Sequence, residues 1–227
     1  MTMPFRAIPQ RGATTACILA VLISLPGCIE SKVPLSDARL SSVDDRLCGA
    51  WTANDGDKLV LLVCGRSEIK GHPGGMMKFE RIEVNAREKT YTTHHKYFFI
   101  TNLDNFSYVN MLGSFFNVKD FTGDEHLADF DREGDYELSL SQDDRQISFF
   151  QYEVRQDRGR DQLTLWEPSE AVAKRAVLGG WVGGTASNES STVKFTASTD
   201  ALVNFFKSSL GREMFTTGKP LRFSRIR

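Results

Sequence analysis

The sequence predicts a mostly β protein of antiparallel barrel or sandwich type, with two short helices in its C-terminal half. Three observations carry this. Runs of β-branched and aromatic residues recur at short spacing between clusters of Gly, Asp and Asn, the composition of strands and their turns. Asn54-Asp55-Gly56-Asp57 separates two apolar runs, and Asp-Gly in that setting is a strong hairpin cue. Tyr136-Glu137-Leu138-Ser139-Leu140-Ser141 alternates apolar and polar residues, as a strand with one buried face must.

Taken in order, strands are expected at 47–53, 58–64, 78–86, 90–101, 106–113, 135–141, 146–155, 162–167, 181–185, 192–197 and 220–226. Asp143-Asp144 turns the alternating strand into the next, and 71–75, rich in Gly and Pro, reads as a loop. The first helix runs from Ser169, in the cap sequence Pro168-Ser169-Glu170, to Leu178 and stops at Gly179-Gly180. The second runs from Ser198 to Leu210 and stops at Gly211. In it Ala201, Leu202, Phe205, Phe206 and Leu210 share one face, which must pack over the sheet or the barrel mouth. Gly49-Ala50-Trp51 and Gly179-Gly180-Trp181 form a faint echo, without the further matches that a duplication would leave.

Arg6 and Arg11 precede a short apolar stretch from residue 13 to residue 25, and no acidic residue occurs before Glu30. That order describes a secretory signal. The stretch is too short and too interrupted to span a bilayer, which takes about 20 apolar residues. Leu25-Pro26-Gly27-Cys28 closes it and resembles the lipobox of bacterial lipoproteins. The resemblance implies cleavage after residue 27, a diacylglyceryl group on Cys28 and acylation of the new N-terminus. Ile29 rather than aspartate after the cysteine implies the outer membrane, facing the periplasm. Two or more acyl chains hold a protein at a membrane without a spanning segment. Residues 28–43, with Pro34 and several serines, read as a lipidated flexible tether, roughly 50 Å at full extension. A single folded domain is expected over 44–227.

Loss of residues 1–27 takes two arginines from the 28 basic residues, leaving 26 against 29 acidic and a formal net charge of −3. That balance argues against a nucleic-acid partner, which needs a basic excess. A hydrophobic content of 41% and 16 phenylalanines suffice for one sizeable core. Of four cysteines, Cys17 leaves with the signal and Cys28 carries lipid, so Cys48 and Cys64 remain. A three-residue loop at 55–57 pairs Asn54 with Lys58 and sets Cys48 opposite Cys64. A two-residue loop sets Cys48 opposite Val63 instead. An oxidising periplasm permits a Cys48–Cys64 disulfide; the other reading is two small buried thiols.

Gly49-x-Trp51 at the start of the first strand resembles the Gly-x-Trp opening of lipocalins and related calycin barrels. There the tryptophan closes the barrel floor, the role the resemblance gives Trp51. More of the chain is similar to uncharacterised bacterial envelope lipoproteins with a lipocalin-like barrel. The similarity is carried by Tyr91, the segment Phe98 to Asn110, and Thr196 to Leu202 followed by Phe205-Phe206 and Met214-Phe215. It implies an up-and-down antiparallel barrel of 8–11 strands and no settled activity.

Asp129, Asp131, Glu133 and Asp135 space acids around Gly134 as a calcium loop does. Leu140 stands where the bidentate glutamate belongs, and a strand follows where a helix should. A solvated acidic loop is the better reading. His94 and His95 are adjacent in a strand and point to opposite faces, so they do not chelate one ion. His72 and His126 lie in loops without ligand spacing. Both kinds are read as exposed or ordinarily hydrogen-bonded side chains. No nucleophile motif, phosphate loop or zinc spacing occurs, and no cofactor, metal or catalytic residue is expected. The expected function is non-catalytic: binding a small hydrophobic ligand in the barrel. The alternative is a structural or protein-interaction lipoprotein with a filled barrel, and a weaker one is a hydrolase of unrecognised type. The expected partners are the membrane, through Cys28, and either that ligand or an envelope protein.

Overall fold

The computed structural model describes residues 29–55, 58–68, 74–85, 90–112, 146–187, 192–218 and 220–226. Cys28 and the signal lie outside these. So do the strand expected at 135–141, His72, His126 and the acidic loop with Asp129, Asp131, Glu133 and Asp135.

Among the described residues the chain is mostly β. Its strands are β1 (Ile29–Ser31), β2 (Gly49–Asp55), β3 (Lys58–Arg66), β4 (Met77–Asn85), β5 (Thr90–Leu103), β6 (Phe106–Leu112), β7 (Ile147–Asp157), β8 (Arg160–Trp166), β9 (Gly184–Ala186), β10 (Val193–Phe195) and β11 (Pro220–Arg225). Helices α1 (Glu170–Leu178), α2 (Thr199–Lys207) and α3 (Ser209–Thr216) stand between β8 and β11. The strands form one sheet in which β2 to β8 pair in sequence order, all antiparallel, and β11 joins β8 back to β2. Eight strands thus make a closed ring, which leaves those strands no free edge. Outside it, β1 meets β7 at Ser31–Ile147 and continues the sheet to β10 and β9.

Two-residue links make the tight turns. Asp104 (φ 53°) turns β5 into β6, and Arg158 (φ 48°) with Gly159 (φ 76°) turns β7 into β8. These left-handed conformations match the twist of hairpin strands.

Two cores result, one on each side of the ring wall. Inside the ring lie Trp51, Leu62, Met77, Phe98, Val109, Met111, Phe150 and Phe223. Outside, Tyr108, Ile147 and Phe149 meet Phe195, Phe205, Phe206, Met214 and Phe215 beneath the helices. Adjacent residues serve opposite cores: Phe149 faces the helices and Phe150 the ring interior. The period-two geometry of a strand requires this. Tyr108, Phe149, Phe206 and Phe215 meet with ring centroids 5.1 to 5.6 Å apart, the spacing of favourable aromatic pairs.

Four expectations need correction. The first is the tether. Residues 29–43 are docked, not free: Ile29 and Leu35 are buried in the outer core. Asn110, fully buried, accepts the Leu35 N–H at 2.8 Å and donates to Thr101 Oγ1 at 2.8 Å. Ser41 bonds both backbone groups of Ile100. Proline and serine composition suggested a linker, but the segment's apolar residues and backbone found partners on β5 and β6.

The second is the strand expected at 181–185. Trp181 instead ends the α1 cap: Trp181 N–H donates to Ala176 O and Gly180 N–H to Val177 O. Gly180 sits at φ 72°. This six-to-one and five-to-two pattern closes a helix through a left-handed glycine, so the strand starts only at Gly184. Trp181 is 69% exposed whereas Trp51 is fully buried, so the two Gly-x-Trp segments play unrelated roles.

The third is the helix expected over 198–210, which is two helices. Ser208 is extended (ψ 164°) and caps α3 by accepting the Gly211 N–H. A Cβ on Gly211 would stand 2.1 Å from Phe205 O. Gly211 therefore permits a tight elbow between α2 and α3 rather than ending a helix. The fourth is the β2–β3 register. Asp55 pairs with Lys58, one residue off the expected alignment, so Cys64 faces Gly49 and not Cys48. Cys48 and Cys64 are both free thiols.

Candidate functional site

The ring interior holds a cavity of about 80 Å³. Seven of the eight ring strands line it, all but β2, together with Leu47 just before β2. Most of the wall is apolar, with Leu62, Phe98, Val109, Met111, Phe150, Leu163 and Phe223 contributing.

The segment before β2, from which Leu47 lines the cavity, is tied to the end of β11. Trp51 is fully buried and donates its indole N–H to Leu47 O at 2.9 Å. Arg225 lies over the indole, 4.3 Å from its centroid. Its guanidinium donates to Cys48 O at 2.6 Å and to Arg46 O, and its Nε stands 2.8 Å from Asp161 Oδ2. Gly49 makes room for this: it sits at φ 126°, and a Cβ there would meet Arg225 Nη1 at 2.7 Å. Tyr152 reaches the same segment by donating to Asp44 Oδ2 at 2.8 Å. Burial pushes the Asp44 carboxyl up, but hydrogen bonds from Arg46 and Tyr152 outweigh it and leave its pKa below the ordinary value.

The remaining wall carries charge. On β4, Phe79, Arg81 and Glu83 alternate; on β5, His94, Lys96 and Phe98 do so, with Arg81 opposite His94 and Phe79 opposite Lys96. Arg81, Glu83, His94 and Lys96 are all buried. Arg81 pairs with Glu83 across one strand repeat. Neither ring nitrogen of His94 has a hydrogen-bond partner among the described residues. Burial, and next the neighbouring Arg81 charge, push its pKa down, so the imidazole is neutral at pH 7. Burial pushes the Lys96 ammonium down to about 8. Cys64, also on the cavity wall, is pushed up to about 12 by burial, and burial and Asp45 raise Cys48. Both thiols are therefore protonated and weakly nucleophilic at neutral pH.

Of the residues singled out from sequence, Trp51 and Cys64 belong to the ring interior, and His94 and His95 do face opposite sides. His95 is half-buried beside Glu80 on the outer surface. The reading of His94 as exposed or ordinarily hydrogen-bonded is corrected: it is buried and faces the cavity. Arg81, Glu83, Lys96 and Arg225 were not singled out. A signal for the first two was present. In Met77 to Val84 the inward parity begins apolar with Met77 and Phe79, then turns polar at Arg81 and Glu83, while Ile82 and Val84 take the other parity. That switch of phase within one strand marks a face that changes from packing to chemistry.

No three His, Cys, Asp or Glu side chains converge as a metal site among the described residues. No helix among them is long and apolar enough to cross a membrane. The fold and site together define an antiparallel β protein with an eight-stranded ring around a small, mainly apolar, partly charged cavity. Neither a family model, a curated protein nor a solved structure matches the chain.

Proposed function

We propose that this protein is a lipid-anchored lipoprotein of the bacterial envelope whose lipocalin-like barrel binds a small hydrophobic ligand. The carrying observation is the ring interior, a cavity lined by mainly apolar side chains from seven strands. Ligand sites take this form, concave and mostly apolar with a few placed polar groups. The lipobox resemblance at Cys28 supplies the location. In this reading the acylated Cys28 directly precedes Ile29, which is buried in β1, so the body sits against its membrane with almost no spacer.

Displacement of an uncharged fluorescent apolar probe by short lipids tests the binding role. Saturable displacement at one site per chain is expected, and no binding by any apolar probe sinks it. Metabolic labelling with palmitate that is lost in Cys28→Ala tests the anchor. A second reading, an interaction lipoprotein, draws on Leu178 and Trp181, which are 59% and 69% exposed at the end of α1. Crosslinking in intact cells from position 181 to one stoichiometric envelope protein is its test.

A further inference from the structure

Helix α1 ends in a segment that presents apolar side chains to solvent. Leu178 and Trp181 are 59% and 69% exposed, and residues 176–187 carry no charged side chain. The segment is built rather than loose. The left-handed cap at Gly180 ties Trp181 N–H to Ala176 O, and Gly183 O accepts the backbone N–H groups of Thr196 and Ala197. The indole lies back over Gly179, where a Cβ would stand 2.9 Å from its Cδ1. Glycine at 179 thus lets the ring rest on the backbone with its outer side uncovered.

The same edge of the sheet receives the N-terminal end of the body. Ile29, directly after Cys28, pairs with Val193 of β10, and Val193 pairs with Ala186 of β9, the last strand on that side. Neighbouring strands lie about 4.8 Å apart, and the backbone from Trp181 to Ala186 spans at most about 18 Å. Trp181 therefore lies less than roughly 30 Å from Ile29. Charges around the tip are balanced: Lys174 pairs with Glu170 at 2.7 Å, Arg175 with Glu213 at 2.7 Å and Lys194 with Glu30 at 3.8 Å.

We propose, on the reading of Cys28 as lipid-bearing, that Leu178 and Trp181 dip into the interface of the bilayer that holds this lipid. They thereby fix which side of the body lies on the membrane. An indole suits that place, since it is apolar over most of its area and keeps one N–H for the wet side. Acyl chains on Cys28 already hold the tip near one bilayer, so insertion needs no large area of its own. A protein partner would ask for about 800 Å² of complementary surface on this side, and two apolar side chains among glycines offer little shape to match. The paired cations leave little attraction to anionic headgroups, so burial of apolar surface holds the tip.

Tryptophan fluorescence of the full lipidated protein, reconstituted in phosphatidylcholine vesicles with and without bromine on the acyl chains, tests this. Bromine quenches an indole only on close approach. Trp51 is fully buried and Trp166 partly so, and the difference between wild type and Trp181→Phe isolates the emission of Trp181. That component should lose most of its intensity in the brominated vesicles, and equally so when phosphatidylglycerol is added. Leu178→Ser should weaken the quenching. Both substitutions are on the surface and should leave the melting midpoint unchanged. Unquenched Trp181 emission from protein that floats with the vesicles overturns the contact and leaves the anchor standing. Quenching that appears only with anionic lipid overturns apolar insertion. Protein that carries no palmitate and does not float overturns both contact and anchor. A photo-crosslinker at position 181 gives the readout in cells: adducts to lipid are expected, and a single stoichiometric protein adduct overturns the bilayer assignment.

Discussion

Arg225, on the last strand, lies 4.3 Å from the centroid of Trp51 on the first ring strand, and the two are adjacent to each other in the pairing of β11 with β2. The contact joins the closing strand to the opening one, 174 positions earlier in the chain. It stacks a cation on an indole while the guanidinium hydrogen-bonds the carbonyls of Arg46 and Cys48. The ring closes where these groups meet.

Arg225→Met should therefore destabilise the fold by about 2–3 kcal/mol, the sum expected from a partly desolvated cation–π contact and carbonyls left without donors. Arg225→Lys should recover only part, because an ammonium lacks the planar fork. Gly49→Ala should cost at least about 1 kcal/mol through its positive φ alone, with more from the clash with Arg225. Urea unfolding midpoints check all three, and unchanged midpoints would contradict the closure described.

Asn110→Ala should release the N-terminal segment. It removes the acceptor for the Leu35 N–H and the donor to Thr101, leaving buried groups unsatisfied at a cost of about 1–3 kcal/mol. Faster amide exchange over residues 30–41, with the ring strands still protected, is the expected signature. Unaltered exchange there would show that apolar packing of Ile29 and Leu35 alone holds the segment.

The wild type should gain stability relative to Lys96→Met as pH rises from about 8 towards 10.5. The folded Lys96 pKa is depressed to about 8 from 10.5, so across that window the unfolded chain binds more protons than the folded one and stability rises with pH. The full difference is on the order of 3 kcal/mol. Cys64 works in the opposite direction above pH 9, since its folded pKa is raised; the comparison with Lys96→Met cancels that term. Thermal melts of both proteins at pH 7.5, 9 and 10 measure it.

His94 should make the protein acid-sensitive. Its folded pKa lies below 6.5, so its contribution is complete above pH 6.5 and is lost as pH falls through the folded value. His94→Gln should flatten that limb of the stability profile, and an identical acid limb would deny His94 the role.

Cys64 should resist alkylation in the native state and react once the chain unfolds, because it is buried and its thiol is held protonated. Mass spectrometry of iodoacetamide-treated protein should show no disulfide between Cys48 and Cys64. A mass two hydrogens lighter, restored by reductant, would show instead that the strand ends move enough to join them.

Much of the architecture was legible in local pattern. The strands β2 to β8, the Asp-Gly hairpin, the Ser169 and Ser198 starts of helices, and the mostly β character all follow from period-two runs, turn residues and caps, which act within a few residues. The misreadings share a cause. Trp181 reads locally as strand because the left-handed cap at Gly180 needs the helix before it. Gly211 reads locally as a stop because its close approach to Phe205 exists only once two helices cross. Residues 29–43 looked like a linker because Asn110 and Ile100, which bind them, lie far along the chain.

Local sequence pattern determined strands β2 to β8 and the helix starts at Ser169 and Ser198, since these depend on side chains a few positions apart. It also supplied the lipobox resemblance at Cys28, which remains the basis for proposing where the protein works. Tertiary structure alone decided which strands close the ring, which parity of β4 and β5 faces inward, and that Arg81, Glu83, His94 and Lys96 share one desolvated wall. Burial is a property of the assembled ring, and burial is what turns four ordinary polar residues into a candidate site.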